Sequence, residues 1–505
     1  MTTFKQNILI ALMASALALS ANAAEQKPNI ILFLVDDMGW QDTSVPFWDK
    51  PTPLNKKFHT PSMERLAKDG MKFTQAYAAP VCSPTRVSLM TGLNPARHRV
   101  TNWTLYKDKS PDAAHPSLTM PAWNLNGLQP VSGIPRTIQA PTLPQCLGKA
   151  GYRTIMVGKA HFGAIGTPGE DPLKLGFDVN IGGHAAGGPG SYLGEQNYSA
   201  RFRKGNPIWD VPHLDKYHGT DTFLTEALTI EALKAVDQSR ADKKPFFLYM
   251  SHYAVHVPFS PDKRFYDKYK ARGLDNTEAM YAAIVEGMDK SLGDIMDYLD
   301  KNKLTGNTVI LFMSDNGGLS NHGRGGKPET HNLPLSRGKG SPREGGIRVP
   351  MLVTWPGVTR AGSVCDDYLI IEDFFPTILE IAAAPATQPL DGVSFVSMLR
   401  GQTSQANNRP LIWHSPNNWG PTSSGYGPHS AIRLGDWKYI FYHDPKATPR
   451  EELFNLREDI GENNNLVQQQ PEKHKVLRQT LKAHLDKMDA QYPTVKQTGK
   501  IVLIP

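Results

Sequence analysis

Five short runs of apolar, β-branched and aromatic residues, separated by segments of helical periodicity, most constrain what this chain can fold into. They are Asn29–Val35 (NIILFLV), Thr154–Val157 (TIMV), Phe246–Ser251 (FFLYMS), Thr308–Met313 (TVILFM) and Pro350–Trp355 (PMLVTW). Between them, Thr60-Pro61 opens a helix with a cap residue and a proline at the first position, and Gly70 closes it; Thr277–Lys301 and Glu372–Ala384 read as two more helices. Strands alternating with helices predict an α/β fold with a mostly parallel central sheet covered by helices on both faces. Ligands of such sheets sit at the carboxyl ends of the strands, so those ends are where function is expected.

The texture changes near residue 400. Beyond it come Pro/Asn/Gly-rich loops, a β-like run at Ser430–Tyr442 and an amphipathic helix near Glu472–Met488. We therefore expect a main domain over 24–399 and a smaller α+β subdomain over 400–505, with a small antiparallel sheet and a terminal helix. Residues 1–23 pair one early Lys5 with an apolar run and the small-residue pattern Ala21-Asn22-Ala23, the layout of a cleavable signal peptide. That run is shorter than the ~20 residues of a spanning helix, so the expectation is an exported, periplasmic or secreted protein without a membrane anchor. With 40% hydrophobic and 20% charged residues the composition is that of an ordinary globular, enzyme-sized chain. The net charge of +7 suits an anionic substrate as well as a solvated surface, and no Lys/Arg cluster points to nucleic acid. The stretch from Asn102 to Gln139 is longer than ordinary connections and is expected to be functional.

Chemistry-bearing residues collect at the predicted strand ends. Asp36-Asp37 follows the first run and Asp315-Asn316 follows the fourth. Singly, such pairs favour turns; together they offer oxygen ligands to one hard cation, Ca²⁺ or Mg²⁺ rather than zinc. Lys159 and His161 follow the second run, His256 follows the third, and Lys339 lies in a glycine-rich loop before the fifth. The chain has three cysteines, so at least one is unpaired. Cys146 and Cys365 sit in apolar settings, whereas Cys82 lies in the polar, proline-bracketed stretch CSPTRVSLMTG.

That stretch resembles the sulfatase signature Cys-x-Pro-x-Arg followed by a leucine and Thr-Gly. The segments DDMG, GKAHFG, AVHVP, SDNGG, GKGSPREGGIRVP and GDWKYI with ELFNL resemble the same family in the same order, in the manner of bacterial arylsulfatases and polysaccharide sulfatases. The resemblance implies an alkaline-phosphatase-like fold and conversion of Cys82 to formylglycine (3-oxoalanine) by a formylglycine-generating enzyme. It places one Ca²⁺ on Asp36, Asp37, Asp315 and Asn316 with the modified Cys82, and sulfate handling on Cys82, Arg86, Lys159, His161, His256 and Lys339. Thr85 stands where the family often has Ser or Ala, and Val255 where it often has Pro; neither change removes a reacting group.

These residue types suit hydrolysis of a sulfate ester, whose anionic oxygens repel a nucleophile until cations neutralise them. A hydrated aldehyde at position 82 provides one hydroxyl to attack sulfur and a second to expel the sulfate afterwards, which serine lacks. By the same resemblance Asp315 assists the attacking hydroxyl, His256 with Lys339 protonates the departing oxygen, and His161 deprotonates the second hydroxyl. The expected substrate is a sulfated saccharide or an aryl sulfate. Trp103, Trp123, Asn417, Asn418 and Trp419 are expected to rim the strand ends and favour a saccharide. A phosphodiesterase or phosphonate hydrolase on the same fold is the nearest alternative. A non-catalytic sulfated-glycan binder predicts a lost nucleophile or ligand, and a structural calcium protein leaves Cys82 and Arg86 without a purpose.

Overall fold

The computed structural model describes residues 27–320, 323–402, 408–419 and 426–505; the predicted signal peptide lies outside them. In chain order the strands are β1 (Asn29–Val35), β2 (Met71–Tyr77), β3 (Leu118–Thr119), β4 (Arg153–Gly158), β5 (Val179–Ile181), β6 (Phe246–Ser251), β7 (Thr308–Ser314), β8 (Arg348–Thr354), β9 (Ser363–Cys365) and β10 (Leu369–Ile370). They are followed by β11 (Leu411–Ser415), β12 (His429–Leu434), β13 (Trp437–Tyr442), β14 (Glu451–Asn455) and β15 (Thr494–Val495).

The main sheet runs β10-β2-β8-β7-β1-β6-β4-β5, with β9 alongside β2. All its pairings are parallel except those made by β8, which is antiparallel to both β7 and β2. The fold is thus α/β with a mostly parallel sheet, as expected. In β1 the side chains divide by pleat: Ile30, Leu32 and Leu34 enter one core, and Ile31, Phe33 and Val35 enter the other. Burial on both faces explains why β1, β6 and β7 read as continuous apolar runs. Helices Pro61–Asp69, Leu224–Ala241 and Asn276–Lys301 cover one face; Cys82–Thr91 and Phe374–Ile381 cover the other. The side chain of Asp275 fixes the start of the 26-residue helix by accepting from Glu278 N at 3.0 Å.

Three local readings are corrected. Strand β2 was not expected, because MKFTQAY mixes polar and apolar residues without clean alternation. The run Ser430–Tyr442 is not one strand but the hairpin β12–β13, turned at Gly435-Asp436, where Gly435 takes φ 61°. Of Glu372–Ala384, only Phe374–Ile381 is α-helical, after a 3₁₀ turn at Ile371–Asp373. The hairpin belongs to a separate antiparallel sheet, β11-β12-β13-β14, covered by helix Pro471–Lys487 through Leu477, Leu481 and Leu485. All three cysteines are free.

Candidate active site

The carboxyl ends of three parallel strands, adjacent β7 and β1 with β4 beyond β6, and the loop ahead of antiparallel β8 bring the predicted residues to one place. Asp36 and Asp37 leave the end of β1, Asp315 and Asn316 the end of β7, and Lys159 the end of β4. Because β8 runs opposite to its neighbours, the chain ahead of it, carrying Lys339, lies at the same edge. Gly340 N donates to Pro80 O at 2.7 Å, which ties this loop to the entry of the Cys82–Thr91 helix. Cys82 is the first residue of that helix and Pro84 the third, so free N–H groups of its first turn lie beside Cys82. Gly92 closes the helix in the left-handed conformation, φ 69°.

The charges are paired and buried. Lys159 Nζ lies 2.7 Å from Asp36 Oδ2, Arg86 Nη2 2.8 Å from Asp315 Oδ2, and Lys339 Nζ 2.5 Å from Asp37 Oδ1. Arg86 is held further by donating through Nη1 to Lys159 O and Ser251 Oγ, each at 2.7 Å, while Ser251 Oγ donates to Lys159 O at 2.8 Å. His256 Nε2 is 3.8 Å from Asp37 Oδ2. Its Nδ1 donates to Val257 O at 2.6 Å, so Nε2 is the atom available to a ligand. His161 donates through Nε2 to Thr104 O at 2.8 Å, leaving Nδ1 buried without a partner among the described residues.

Burial and the neighbouring Asp315 raise the Asp36 carboxyl well above its ordinary range. Burial would raise Asp37 too, but Lys339 and His256 outweigh it and hold that carboxyl low. Burial with Lys159 drives His161 down, and burial with Lys339 brings His256 to about 3; burial raises the Cys82 thiol.

Ligand atoms of Asp36, Asp37 and Asp315 lie within 4.8 Å of one another, a cluster that does not include Cys82. Asp36 Oδ1, Asp37 Oδ2 and Asn316 Oδ1 are buried and accept no hydrogen bond among the described residues. The Asn316 amide is oriented by its Nδ2, which donates to Asp37 Oδ1 at 2.8 Å and to Gly317 O at 3.0 Å. Buried oxygens are normally satisfied, so three unsatisfied ones beside a third carboxylate fit an oxygen-ligated divalent cation. Asp37 and His161 both hold positive φ, 63° and 58°, a conformation non-glycine residues adopt at a cost of ~1–3 kcal/mol and keep where surrounding structure imposes it.

A cavity of about 240 Å³ opens over Cys82 and is lined by Trp103, His161, Trp209, His256, Lys339 and Trp419 among others. Two expectations for its rim are corrected. Trp123 is in the core, its Nε1 donating to Asp112 Oδ2 at 3.0 Å. Asn417 and Asn418 spend their amides on the long loop: Asn417 Nδ2 donates to Asp112 Oδ2 at 3.1 Å and Asn418 Nδ2 to Ala113 O at 3.0 Å. That loop is functional in another sense, since its Thr104 holds His161 and its N–H donates to Ser83 Oγ at 3.1 Å.

Several contributors were not anticipated. A Cβ on Gly187 would lie 2.3 Å from the His161 ring, and one on Gly188 would lie 2.8 Å from His256 Nδ1. The AAGGPG stretch was the available signal, since adjacent glycines outside regular structure mark close approach. Ser251 gave a weaker one, as a polar residue closing an apolar strand. Trp209 gave none.

The family profile described as sulfatase matches residues 28–384, and one described as N-sulphoglucosamine sulphohydrolase, C-terminal, matches residues 342–491. A sulfatase of Formosa agariphila is 32% identical, the match covering 93% of this chain and 90% of that protein. The N-acetylgalactosamine-6-sulfatase of Homo sapiens is 32% identical over 78% of this chain and 70% of its own. The crystal structure of Ps i-CgsB in complex with k-i-k-neocarrahexaose superposes with a TM-score of 0.73 at 28% identity, covering 91% of this chain and 93% of that one. The chain belongs to the sulfatase family. It is an enzyme of that class, built to hydrolyse sulfate esters.

Proposed function

We propose that this sulfatase removes sulfate from a sulfated carbohydrate, with Cys82 matured to formylglycine and one Ca²⁺ held by Asp36, Asp37, Asp315 and Asn316. The observation that carries this reading is the convergence of Cys82, three buried cations and three unsatisfied oxygens under one small cavity. Ps i-CgsB was crystallised in complex with k-i-k-neocarrahexaose and the human relative is named N-acetylgalactosamine-6-sulfatase, which favours a saccharide over a simple aryl sulfate.

When bound, the cation supplies Lewis-acid polarisation of a sulfate oxygen, and the modified side chain supplies the paired hydroxyls for attack and release. The remaining work falls to side chains already in place. With the cation bound to Asp36, Asp37 and Asp315, the charges of Arg86, Lys159 and Lys339 are left to neutralise the sulfate oxygens, and burial makes that attraction stronger than it would be in water. His161 presents its bare Nδ1 as the proton acceptor at Cys82. In this reading His256 with Lys339 protonates the departing alcohol oxygen: Nε2 of the neutral His256 ring must first take up a proton, and the Lys339 ammonium is the neighbouring group that carries one; Asp315 assists the attacking hydroxyl. Export and maturation by a formylglycine-generating enzyme belong to the same reading; no described helix is long and apolar enough to cross a membrane.

The test joins chemistry to activity. Peptide mass spectrometry of the fragment containing Cys82 should show the aldehyde in active protein, and sulfate release from a panel of defined sulfated mono- and disaccharides should be detected by ion chromatography. Cys82→Ala should abolish release without lowering the melting temperature. Full activity in protein carrying only the thiol refutes the modification, and preference for matched aryl phosphate diesters over sulfates favours the phosphodiesterase alternative.

A further inference from the structure

The chain has nine tryptophans, and their placement separates them into two groups. Trp40, Trp48, Trp123, Trp355, Trp413 and Trp437 pack into or against the hydrophobic cores. Trp103, Trp209 and Trp419 belong to none of the cores, and all three line the cavity over Cys82. They arrive from distant parts of the chain. Trp103 precedes Thr104, whose carbonyl holds His161. Trp209 ends the turn Pro207–Trp209, capped by Asn206, whose Oδ1 accepts from Ile208 N at 3.0 Å. Trp419 comes from beyond β11 and lies on Gly340, where a Cβ would be 2.2 Å from its ring.

The polar side chains of this cavity are Cys82, His161, His256 and Lys339, all committed to the sulfate; the rest of the described lining is Val81, Gly187, Val257 and the tryptophans. The volume of about 240 Å³ falls below the ~300–1,000 Å³ of pockets that enclose drug-sized ligands, so the cavity suits a small terminal group rather than a long stretch of chain.

Resting on the sulfatase reading, we propose that the ring carrying the scissile sulfate is an otherwise uncharged sugar held against tryptophan faces, and that the cavity rejects a ring bearing a second anionic substituent. The C–H face of a neutral sugar packs well on an aromatic ring. A carboxylate or N-sulfate there loses its water against the negative face of an indole and finds, among the described lining residues, no cation beyond those already engaged with the sulfate.

The experiment uses the mature, formylglycine-bearing enzyme and matched monosaccharides: glucose 3-sulfate and glucose 6-sulfate beside the same compounds carrying an N-sulfate at C2, and the corresponding galactose pairs. Sulfate release is followed by ion chromatography, with nuclear magnetic resonance reporting which ester is lost. The neutral ring should be favoured in kcat/KM by about two orders of magnitude. Trp209→Ala and Trp103→Ala should raise KM for the neutral ring about tenfold at unchanged melting temperature, with Trp209→Phe restoring most of it. Equal or better use of the doubly anionic ring overturns the proposal and leaves the sulfatase reading standing. Tryptophan variants that lower the melting temperature and kcat together, or leave KM unchanged, also overturn it. No release from any saccharide overturns both.

Discussion

Gly187 and Gly188 carry no functional group, yet they decide where two imidazoles stand. Neither has positive φ, so alanine is conformationally acceptable at both positions and the consequence of substitution is steric. Gly187→Ala is expected to push the His161 ring off its bond to Thr104 O and lower kcat by about 10²-fold, the scale set by an ångström of misplacement. Turnover measured beside the melting temperature checks this: an active, normally folded variant would remove His161 from the chemistry. A second residue-scale expectation concerns pH. Burial and the adjacent Asp373 raise Glu372 to about 8, while its Oε1 accepts from Asn94 Nδ2 at 2.8 Å and Oε2 has no partner among the described residues. A carboxyl that binds its proton more tightly when folded favours the folded state below its ordinary pKa of 4.5, and that contribution is lost as pH rises toward 8. Each unit of difference is worth about 1.4 kcal/mol. Glu372→Gln should therefore flatten the decline in melting temperature between pH 5 and 8, and an unchanged profile would mean that Glu372 is not the group responsible.

At the scale of elements, the loop carrying Lys339 is clamped from the C-terminal sheet. Lys438 on β13 lies 2.9 Å from both Glu344 Oε1 and Glu462 Oε1, with all three side chains buried. Glu462 Oε2 accepts from Ser336 Oγ at 2.7 Å and from Glu344 N at 2.8 Å, so both ends of the loop are gripped. Lys438→Met removes the cation that two buried carboxylates share, leaving Glu344 with Arg348 and Glu462 with Ser336 and a backbone N–H, and should destabilise the protein by about 3 kcal/mol in denaturant titration. A loss under 1 kcal/mol would show that the cluster does not hold the loop. Asp36, Asp315, Lys159 and His256 are legible in the sequence because strand ends of a parallel sheet coincide, and any polar residue closing an apolar run is drawn to that edge. Arg86 is legible only through the family motif, and Cys82 and Lys339, noticeable by their settings, gain a role only through it, since a helix start and a loop before an antiparallel strand have no fixed address in periodicity. Lys438 stands in the matching GDWKYI segment, but its partners are 94 and 24 residues away, and nothing local marks it as buried. Trp209 and the glycines escape notice for the same reason: their roles depend on what lies across from them.

For the whole molecule, the decisive quantity is the charge of the site on which every layer converges. Asp36, Asp37 and Asp315 are matched by Lys159, Lys339 and Arg86, so the protein groups alone sum to about zero and offer a sulfate ester little net attraction. A bound divalent cation makes the site positive and satisfies Asp36 Oδ1, Asp37 Oδ2 and Asn316 Oδ1, which otherwise remain unpaired at the junction of β1 and β7. These strands pair at the centre of the sheet, so the ion would join the two halves of the fold at their common edge. A ligand bound only by the folded state stabilises it by an amount that grows with its concentration, reaching about 4 kcal/mol at a thousandfold excess over Kd. Chelation should therefore lower both melting temperature and sulfate release, and graded Ca²⁺ should restore both along one saturation curve. Asp37→Asn, which keeps an oxygen but removes a charge, should shift that curve to higher Ca²⁺. A melting temperature indifferent to chelation and to added Ca²⁺, in protein that still releases sulfate, would eliminate the calcium assignment and leave the three unsatisfied oxygens to be explained by the substrate itself.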